Sequence, residues 1–164
     1  MAYRPMAFSL QTERLSLELR TADDAEWNLP LLREPLPLDA ARARLAEQEV
    51  AARKSGIGLL TVRLEGVPIG YCGLIVGRGS LDEPELAYEL LHTFRGHGYA
   101  TEAASAVLEA AFDTGRSRIW STVRTWNTAS FRVLDKLGFR RERSVMDADG
   151  ELMYLVLSSS PSQA

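Results

Sequence analysis

Apolar residues recur with two different periods along this chain. In several short segments they alternate with polar residues or form brief runs bounded by turn residues, and both patterns are typical of β-strands. In one longer segment, residues 100–112, they recur every three or four residues, which is typical of a helix with one buried face. The strand-like segments are residues 15–19, 59–64, 67–76, 85–92, 119–124, 139–145 and 152–157.

Capping and terminating residues predict four helices. Thr21 and Asp24 can form a capping box, which opens a short helix that Pro30 disrupts. The other three helices each follow a capping residue or a glycine loop, and a glycine closely follows each of them, as is common just past a helix C-terminus. They cover residues 40–54, residues 100–114 and residues 128–137. The order of the elements predicts a mixed α/β sheet with helices packed on it.

The composition of the chain favours one soluble domain. The chain has 164 residues, of which 46% are hydrophobic and 25% are charged, and its net charge is −3. These values suit a single core, so we predict one domain over residues 1–158 and a disordered tail over residues 159–164. No apolar run is long enough to span a membrane, and the acidic charge argues against nonspecific nucleic-acid binding.

The chain contains few residues that bind metals or form disulfides. Cys72 is its single cysteine, so no disulfide can form within the chain, and we predict a cytoplasmic location. Cys72 lies in an apolar strand-like run, which indicates a core residue rather than a nucleophile. One cysteine and two separated histidines do not supply a structural zinc site, so we predict no metal.

The segment with the strongest chemical implication is the glycine loop, residues 95–100, whose sequence is Arg-Gly-His-Gly-Tyr-Ala. Gly96 and Gly98 can adopt conformations closed to other residues and leave no side chain in the way of a ligand. The helix that follows offers free N–H groups and the positive end of its dipole. The loop therefore predicts a binding site for a phosphate or diphosphate. The alternative is that its glycines only form a turn before the helix.

Three segments, in this order along the chain, resemble the GCN5-related N-acetyltransferases, the GNAT family. Residues 10–15, Leu-Gln-Thr-Glu-Arg-Leu, with Asp-Asp-Ala at 23–25, resemble the opening of the branch that contains the ribosomal-protein N-terminal acetyltransferases. The glycine loop resembles the family's Gln/Arg-x-x-Gly-x-Gly/Ala motif. Residues 127–139 begin with Asn-Thr-Ala-Ser and end in Gly-Phe, and they resemble the family's second motif. The resemblance implies the GNAT fold, a central and mostly antiparallel sheet flanked by helices.

The resemblance also implies that acetyl-CoA is the co-substrate and that the glycine-loop amides hold its diphosphate. Asn127 would contact the pantetheine arm through its side-chain amide. Asparagine is also among the best helix N-caps, and the two roles do not exclude each other. The predicted cofactor-binding residues are Leu91, His92, Arg95, Gly96, His97, Gly98, Tyr99, Ala100, Thr101 and Asn127.

Ser130 is the candidate proton donor to the departing CoA thiolate, a role that the resemblance gives to the matching serine of the ribosomal-protein branch. Many other family members use a tyrosine four residues further on, where this chain has Leu134. Leu134 has a structural explanation of its own, because it can close the C-terminus of its helix together with Phe139. A serine hydroxyl is a poor acid, so orienting the thiolate or a water is the alternative role.

Glu85 and Glu89 are the candidate catalytic bases. They lie four residues apart on a predicted strand, so their side chains point to one face beside the glycine loop. A carboxylate there can remove a proton from the attacking amine or bind a cationic substrate. The polar face of a solvent-exposed strand would show the same pattern, so both interpretations stay open.

We therefore predict acetyl transfer from acetyl-CoA to a primary amine by direct attack on the thioester. The acceptor is a protein N-terminus or a small amine, and the chain acts as a monomer or homodimer without nucleic-acid or membrane partners. The alternative is a catalytically inactive acyl-CoA-binding or sensing protein, which Leu134 in the tyrosine position motivates. Release of the CoA thiol in the presence of amines distinguishes the two.

Overall fold

The structure, a computed structural model, describes residues 2–160, and a single sheet of eight strands forms its centre. The strands are β1 (Ser9–Gln11), β2 (Leu15–Leu19), β3 (Leu59–Leu64), β4 (Val67–Ile75), β5 (Glu85–Leu90), β6 (Arg118–Arg124), β7 (Arg140–Asp147) and β8 (Gly150–Ser158). They lie in the order β1-β2-β3-β4-β5-β6-β8-β7. β5 and β6 are parallel and the other neighbouring strands are antiparallel, so the predicted mostly antiparallel sheet is confirmed.

Helices flank this sheet, which confirms the predicted mixed α/β architecture. They are α1 (Ala25–Asn28), α2 (Leu38–Ser55), α3 (Tyr99–Asp113) and α4 (Thr128–Leu137), with single 3₁₀ turns at Ala22–Asp24, Leu29–Leu31 and His92–Phe94. The predicted capping box is present, because Thr21 Oγ1 accepts from Asp23 N and Asp24 Oδ2 accepts from Thr21 N. Between residues 2 and 160, none of the helices has the length and apolar character needed to cross a bilayer.

One face of the sheet carries the main hydrophobic core against α3 and α4. Leu17, Leu60 and Cys72 from the strands pack there with Ala103 of α3 and Leu134 of α4. Cys72 is 1% exposed, and burial raises the pKa of its thiol. Its predicted place in the core is confirmed.

The opposite face of the sheet is polar near its centre, and α1 and α2 cover it. Arg20, just after β2, stacks over the ring of Tyr71 on β4 at 4.8 Å and donates to Gln48 of α2 at 2.7 Å. Side chains alternate along a strand, so the residues of β5 that point away from the core point to this face. Glu85 and Glu89 are among them.

Several element boundaries differ from the sequence predictions by one or two residues, and the differences at β1, β5 and α2 are informative. β1 was not predicted, because three residues are too few for a periodic signal. β5 ends at Leu90 rather than His92, since His92–Phe94 turns into a 3₁₀ helix before the glycine loop. α2 begins at Leu38 rather than at residue 40, so Asp39, which the sequence predicts as its N-cap, lies in its first turn instead.

The predicted disordered tail falls only partly within the described residues. β8 continues to Ser158, and Ser159 N donates to Ser117 O at 2.9 Å, which ties the chain to the sheet at that point. Residues 161–164 lie outside the described residues.

A gap opens between β5 and β6. The two parallel strands are in register at one pair only, Glu85 with Trp120, close to the start of each strand. β5 is paired along its whole length with β4 on its other side. Residues 86–90 therefore have no strand partner on the β6 side, and the gap widens toward the end of β5, where the glycine loop begins.

Candidate active site

The glycine loop bends sharply into α3 through two left-handed residues. Gly96 has a φ of +83° and Gly98 a φ of +81°, a region that residues with a Cβ rarely occupy. Gly98 is the N-cap residue of α3, and it has no side chain to satisfy the first amides of the helix. Both residues therefore adopt a conformation that favours glycine, as the sequence predicts.

The backbone amides of this loop are free to bind a ligand. Across residues 2–160, the N–H groups of residues 96–101 donate to no other group, and the first amide of the helix that does is Glu102 N, which donates to Gly98 O at 3.1 Å. Consecutive free amides at the positive end of a helix dipole form a binding site for an anion. This arrangement suits the diphosphate of a coenzyme.

Arg95 places a cation at the entrance of the loop. Its Nε donates to Leu90 O at 3.1 Å, and its Nη2 lies 3.9 Å from Glu89 Oε1. Half of the Arg95 side chain is exposed to solvent. His97 is exposed, and its ring centroid lies 5.7 Å from that of Tyr99.

Asn127 caps α4 and keeps its amide group available. Its Oδ1 accepts from Ser130 N at 3.2 Å, so the N-cap role is present. Its Nδ2 makes no hydrogen bond with any residue from 2 to 160. The side chain can therefore cap the helix with one atom and donate to a ligand with the other.

Replacing Asn127 should separate these two roles. Asn127→Ser keeps a capping oxygen but loses the amide donor, so we expect a near-native melting temperature and weaker CoA binding. Asn127→Ala loses both groups, and its free energy of unfolding should fall by about 1 kcal/mol in addition. Thermal melts and CoA titration of both variants check this. A serine variant that binds CoA like the wild type would leave Asn127 with the capping role alone.

Ser130 lies in the first turn of α4, and its side chain adjoins the hydroxyl group of Tyr88. The residue is half-buried. Leu134, one turn later, is fully buried, and Phe139 N donates to Leu134 O at 3.0 Å while Gly138 N donates to Asp135 O at 3.1 Å. These two bonds form the Schellman motif predicted for this helix end.

Tyr88 of β5 lies next to Ser130. Its hydroxyl lies 3.5 Å from Ser130 O, and burial raises the pKa of Tyr88 to about 12. The phenol therefore stays protonated at neutral pH. It joins β5 to the start of α4 on the side of the sheet where α3 and α4 lie.

Glu85 is buried at the narrow end of the gap between β5 and β6. It is 4% exposed; one carboxylate oxygen accepts from Arg78 N and the other from Thr122 Oγ1 at 2.6 Å. A Cβ on Gly77 would clash with this carboxylate, so the glycine allows the loop after β4 to close over it. The carboxylate is thereby fixed in one position.

A pocket of about 260 Å³ adjoins this carboxylate. Its walls include Glu85, Trp120 and Tyr154, together with Arg143, whose guanidinium stacks 4.2 Å above the Tyr154 ring. The lining combines two aromatic rings with several polar and charged side chains, so the pocket can hold a small polar group. The pocket lies at the point where the two parallel strands begin to separate.

Glu89 lies on the same face, nearer the open end of the gap. It is half-exposed, and its Oε2 accepts from the Tyr71 hydroxyl at 3.2 Å. Burial, together with the charge of Glu89, raises the pKa of Tyr71 to about 12. Tyr71 is thus a neutral donor to Glu89, and the two carboxylates differ in burial although they share a face.

The sequence predicts Trp126 mainly as a core aromatic, or as a wall of the acceptor site because it directly precedes Asn127. The core prediction is wrong, because Trp126 is 75% exposed next to the start of α4. Over residues 2–160, no group of three or more His, Cys, Asp or Glu side chains comes together as a possible metal site.

Known proteins share this sequence pattern and this fold. The family model for the acetyltransferase (GNAT) domain matches residues 4–140. The chain is also 25% identical over 169 residues to the N-acetyltransferase p20 of Bacillus licheniformis, an alignment that covers 92% of this chain and 94% of that protein.

Two solved structures show the likeness in three dimensions. RimL, described as a ribosomal L7/L12 alpha-N-protein acetyltransferase in complex with CoA, matches with a TM-score of 0.81 at 13% identity, over 92% of this chain and 97% of that one. AAC(6')-Ib in complex with ribostamycin and CoA matches with a TM-score of 0.74 at 22% identity, over 93% and 100%. These two likenesses are evidence of the fold, and the family match spans most of the sequence. The chain belongs to the GNAT family of N-acetyltransferases.

Proposed function

We propose that this protein transfers the acetyl group of acetyl-CoA to a primary amine, with the diphosphate of the coenzyme seated on the amides of residues 96–101. The observation that carries the proposal is the row of unpaired N–H groups at the start of α3. The complexes of RimL and AAC(6')-Ib with CoA support it, because both share this fold. Leu91, His92, Arg95 and Asn127 would extend the site along the coenzyme.

The gap between β5 and β6 is the proposed place of the thioester. Its edge on β5 offers backbone groups without a strand partner, and an N–H there can polarise the thioester carbonyl as the amine attacks. The amine would approach from the face that carries Glu85 and Glu89. Because the gap would hold the thioester and the amine close together, the acetyl group can pass directly to the amine nitrogen.

Glu85 is our first candidate for the base, and Glu89 the second. A base must be held within reach of the amine proton, and Glu85 is fixed by two donors beside a pocket. Glu89 is more exposed, and its longer contacts with Tyr71 at 3.2 Å and Arg95 at 3.9 Å hold it less firmly. In this assignment Glu89 contributes negative charge that attracts a cationic acceptor.

Ser130 is the proposed group that assists departure of the thiolate. Ser130→Ala should lower kcat while the dissociation constant of acetyl-CoA stays nearly unchanged, which is the pattern of an interaction made in the transition state. Alanine is a better helix former than serine, so the loss of the hydroxyl from α4 should not disturb the fold. Equal turnover in both proteins, with chemistry shown to limit the rate, would remove Ser130 from the mechanism.

The acceptor class is a primary amine, and either a protein N-terminus or a small amine would fit. RimL is named for an action on a protein N-terminus, and AAC(6')-Ib was solved with ribostamycin. The net charge of −3 and the two carboxylates on the acceptor face favour a cationic acceptor. We propose that the chain acts as one catalytic domain, a monomer or homodimer, in the cytoplasm.

A thiol-release assay tests the proposal. Acetyl-CoA is mixed with the protein and with a panel of N-terminal peptides, aminoglycosides and polyamines, and free CoA is followed with a thiol reagent. We expect release that depends on one class of amine, with the acetylated amine detected by mass spectrometry. CoA binding without release across the whole panel would favour the alternative, an inactive acyl-CoA-binding protein.

A further inference from the structure

The turn between β1 and β2 reaches across the protein to the start of α3. Thr12 Oγ1 donates to Glu102 Oε2 at 2.5 Å, and Arg14 N donates to the same oxygen at 2.9 Å. Arg14 Nε donates to Glu102 Oε1 at 2.7 Å. Burial of Glu102 opposes its ionisation, but these hydrogen bonds from Thr12 and Arg14 outweigh it and hold the pKa of Glu102 below its ordinary value. Glu102 is thus an ionised anchor for the turn.

Arg14 continues from this anchor to the glycine loop. Its Nη1 donates to His97 O at 3.2 Å, and its guanidinium lies 4.5 Å from the centroid of the Tyr99 ring. Its Nη2 lies 3.5 Å from the position that a Cβ on Gly98 would take. One side chain therefore contacts His97 and Tyr99 of the loop and passes close to Gly98 between them.

The glycine loop has few other restraints. Gly96 and Gly98 have no side chains, and the amides of the loop are free, which a diphosphate site requires. Within the described part of the chain, residues 96–98 make two hydrogen bonds through backbone atoms, from Arg14 to His97 O and from Glu102 N to Gly98 O. A loop that must keep its N–H groups free can form internal backbone hydrogen bonds only through its carbonyl groups, and Arg14 binds one of them.

We propose that Arg14, oriented by Thr12 and Glu102, is the positioning residue that holds the glycine loop in its diphosphate-binding conformation. Arg14 also neutralises the carboxylate of Glu102, whose charge in the first turn of α3 would otherwise repel an anion bound at the N-terminus of that helix. This inference rests on the proposed function, because it assumes that the loop binds CoA.

Calorimetric titration with CoA tests the inference. Arg14→Ala should weaken CoA binding about tenfold or more, and Arg14→Lys should lie between it and the wild type, since lysine keeps the charge without the planar fork. Glu102→Ala should also weaken binding, because Arg14 loses the partner that orients it. The double variant should lose no more than Arg14→Ala alone, as expected for residues that act as one unit.

Arg53→Ala is the matched control. It removes an arginine whose carboxylate partner, Glu49, lies 3.0 Å away on α2, far along the chain from the loop. Its CoA affinity should equal that of the wild type. Once an acceptor is known, Arg14→Ala should raise the KM for acetyl-CoA and leave kcat within about a factor of two.

Two results would overturn the inference. The first is an Arg14→Ala protein that binds CoA like the Arg53→Ala control, even if its melting temperature is lower, because this would make the contacts purely structural. The second is an Arg14→Lys protein as weak as Arg14→Ala together with a strictly additive double variant. A wild-type protein that does not bind CoA would instead refute the proposed function, and this inference with it.

Discussion

Replacing Gly98 with valine should weaken CoA binding about a hundredfold or more in a protein that still folds. The φ of Gly98 is +81°, and a residue with a Cβ costs about 1–2 kcal/mol in this region. The loop would relieve that strain by moving, and the branched side chain would also obstruct close approach to the free amides of residues 96–101. Titration calorimetry with CoA measures the effect.

Gly66 provides a matched control for the backbone strain. Its φ is also +81°, it lies in the turn between β3 and β4, and a Cβ added there would meet nothing within 4 Å. Gly66→Val should therefore carry the same local cost without touching the loop. We expect reduced stability and an unchanged CoA affinity. Unchanged affinity in a folded Gly98→Val protein would show that the diphosphate binds elsewhere.

Replacing Glu85 with glutamine should lower kcat about a hundredfold, the usual contribution of a general base. The fold should tolerate the change, because the amide oxygen can still accept from Arg78 N and the Thr122 hydroxyl can accept from the new amide group. A melting curve close to that of the wild type would confirm that the loss of rate is chemical.

The pH dependence distinguishes a base from a structural carboxylate. A base acts only when ionised, so a catalytic base gives the pH–rate profile an acid limb that is absent once the base is replaced. The Glu85→Gln variant should lack the part of the acid limb that comes from the catalytic base. The loss of rate that remains at low pH should come only from protonation of the acceptor amine. Tyr71 cannot substitute at neutral pH, because burial and the charge of Glu89 raise the pKa of Tyr71 to about 12.

Glu89→Gln is the control on the same face. It should keep the acid limb and raise the KM of a cationic acceptor more than it lowers kcat. If instead Glu89→Gln removes the limb and Glu85→Gln does not, the two assignments must be exchanged. Unaltered pH–rate profiles for both variants and for the double variant would leave the acceptor or a water as the base.

The architecture was predictable from sequence because its signals are local. The alternation of Leu15, Leu17 and Leu19 reflects a strand with one buried face, and α4 is bounded by Asn127 and Gly138, whose capping geometry is present in the structure. The glycine loop was recognisable for the same reason, since Gly96 and Gly98 adopt the left-handed conformation that makes glycine necessary.

The contacts that complete the candidate site were not predictable, because they join residues far apart in the chain. Glu102 is an acidic residue in the first turn of a helix, and nothing local relates it to Thr12 or Arg14, some 90 residues earlier. The same holds for the hydrogen bond from Thr122 to Glu85, which depends on the single paired position of β5 and β6. Sequence periodicity placed Glu85 and Glu89 on one face but carried no information about their burial.

The central claim is that the amides of residues 96–101 receive the diphosphate of CoA, and amide chemical shifts test it most directly. A titration of CoA into the ¹⁵N-labelled protein, followed by two-dimensional NMR, reports on each N–H group separately. We predict that the largest changes occur at residues 96–101, with downfield shifts because free amides gain strong acceptors, and that pantetheine, which lacks the diphosphate, leaves these signals nearly unmoved. Saturable binding of CoA with these signals unchanged, and with the largest shifts elsewhere in the protein, would contradict the account.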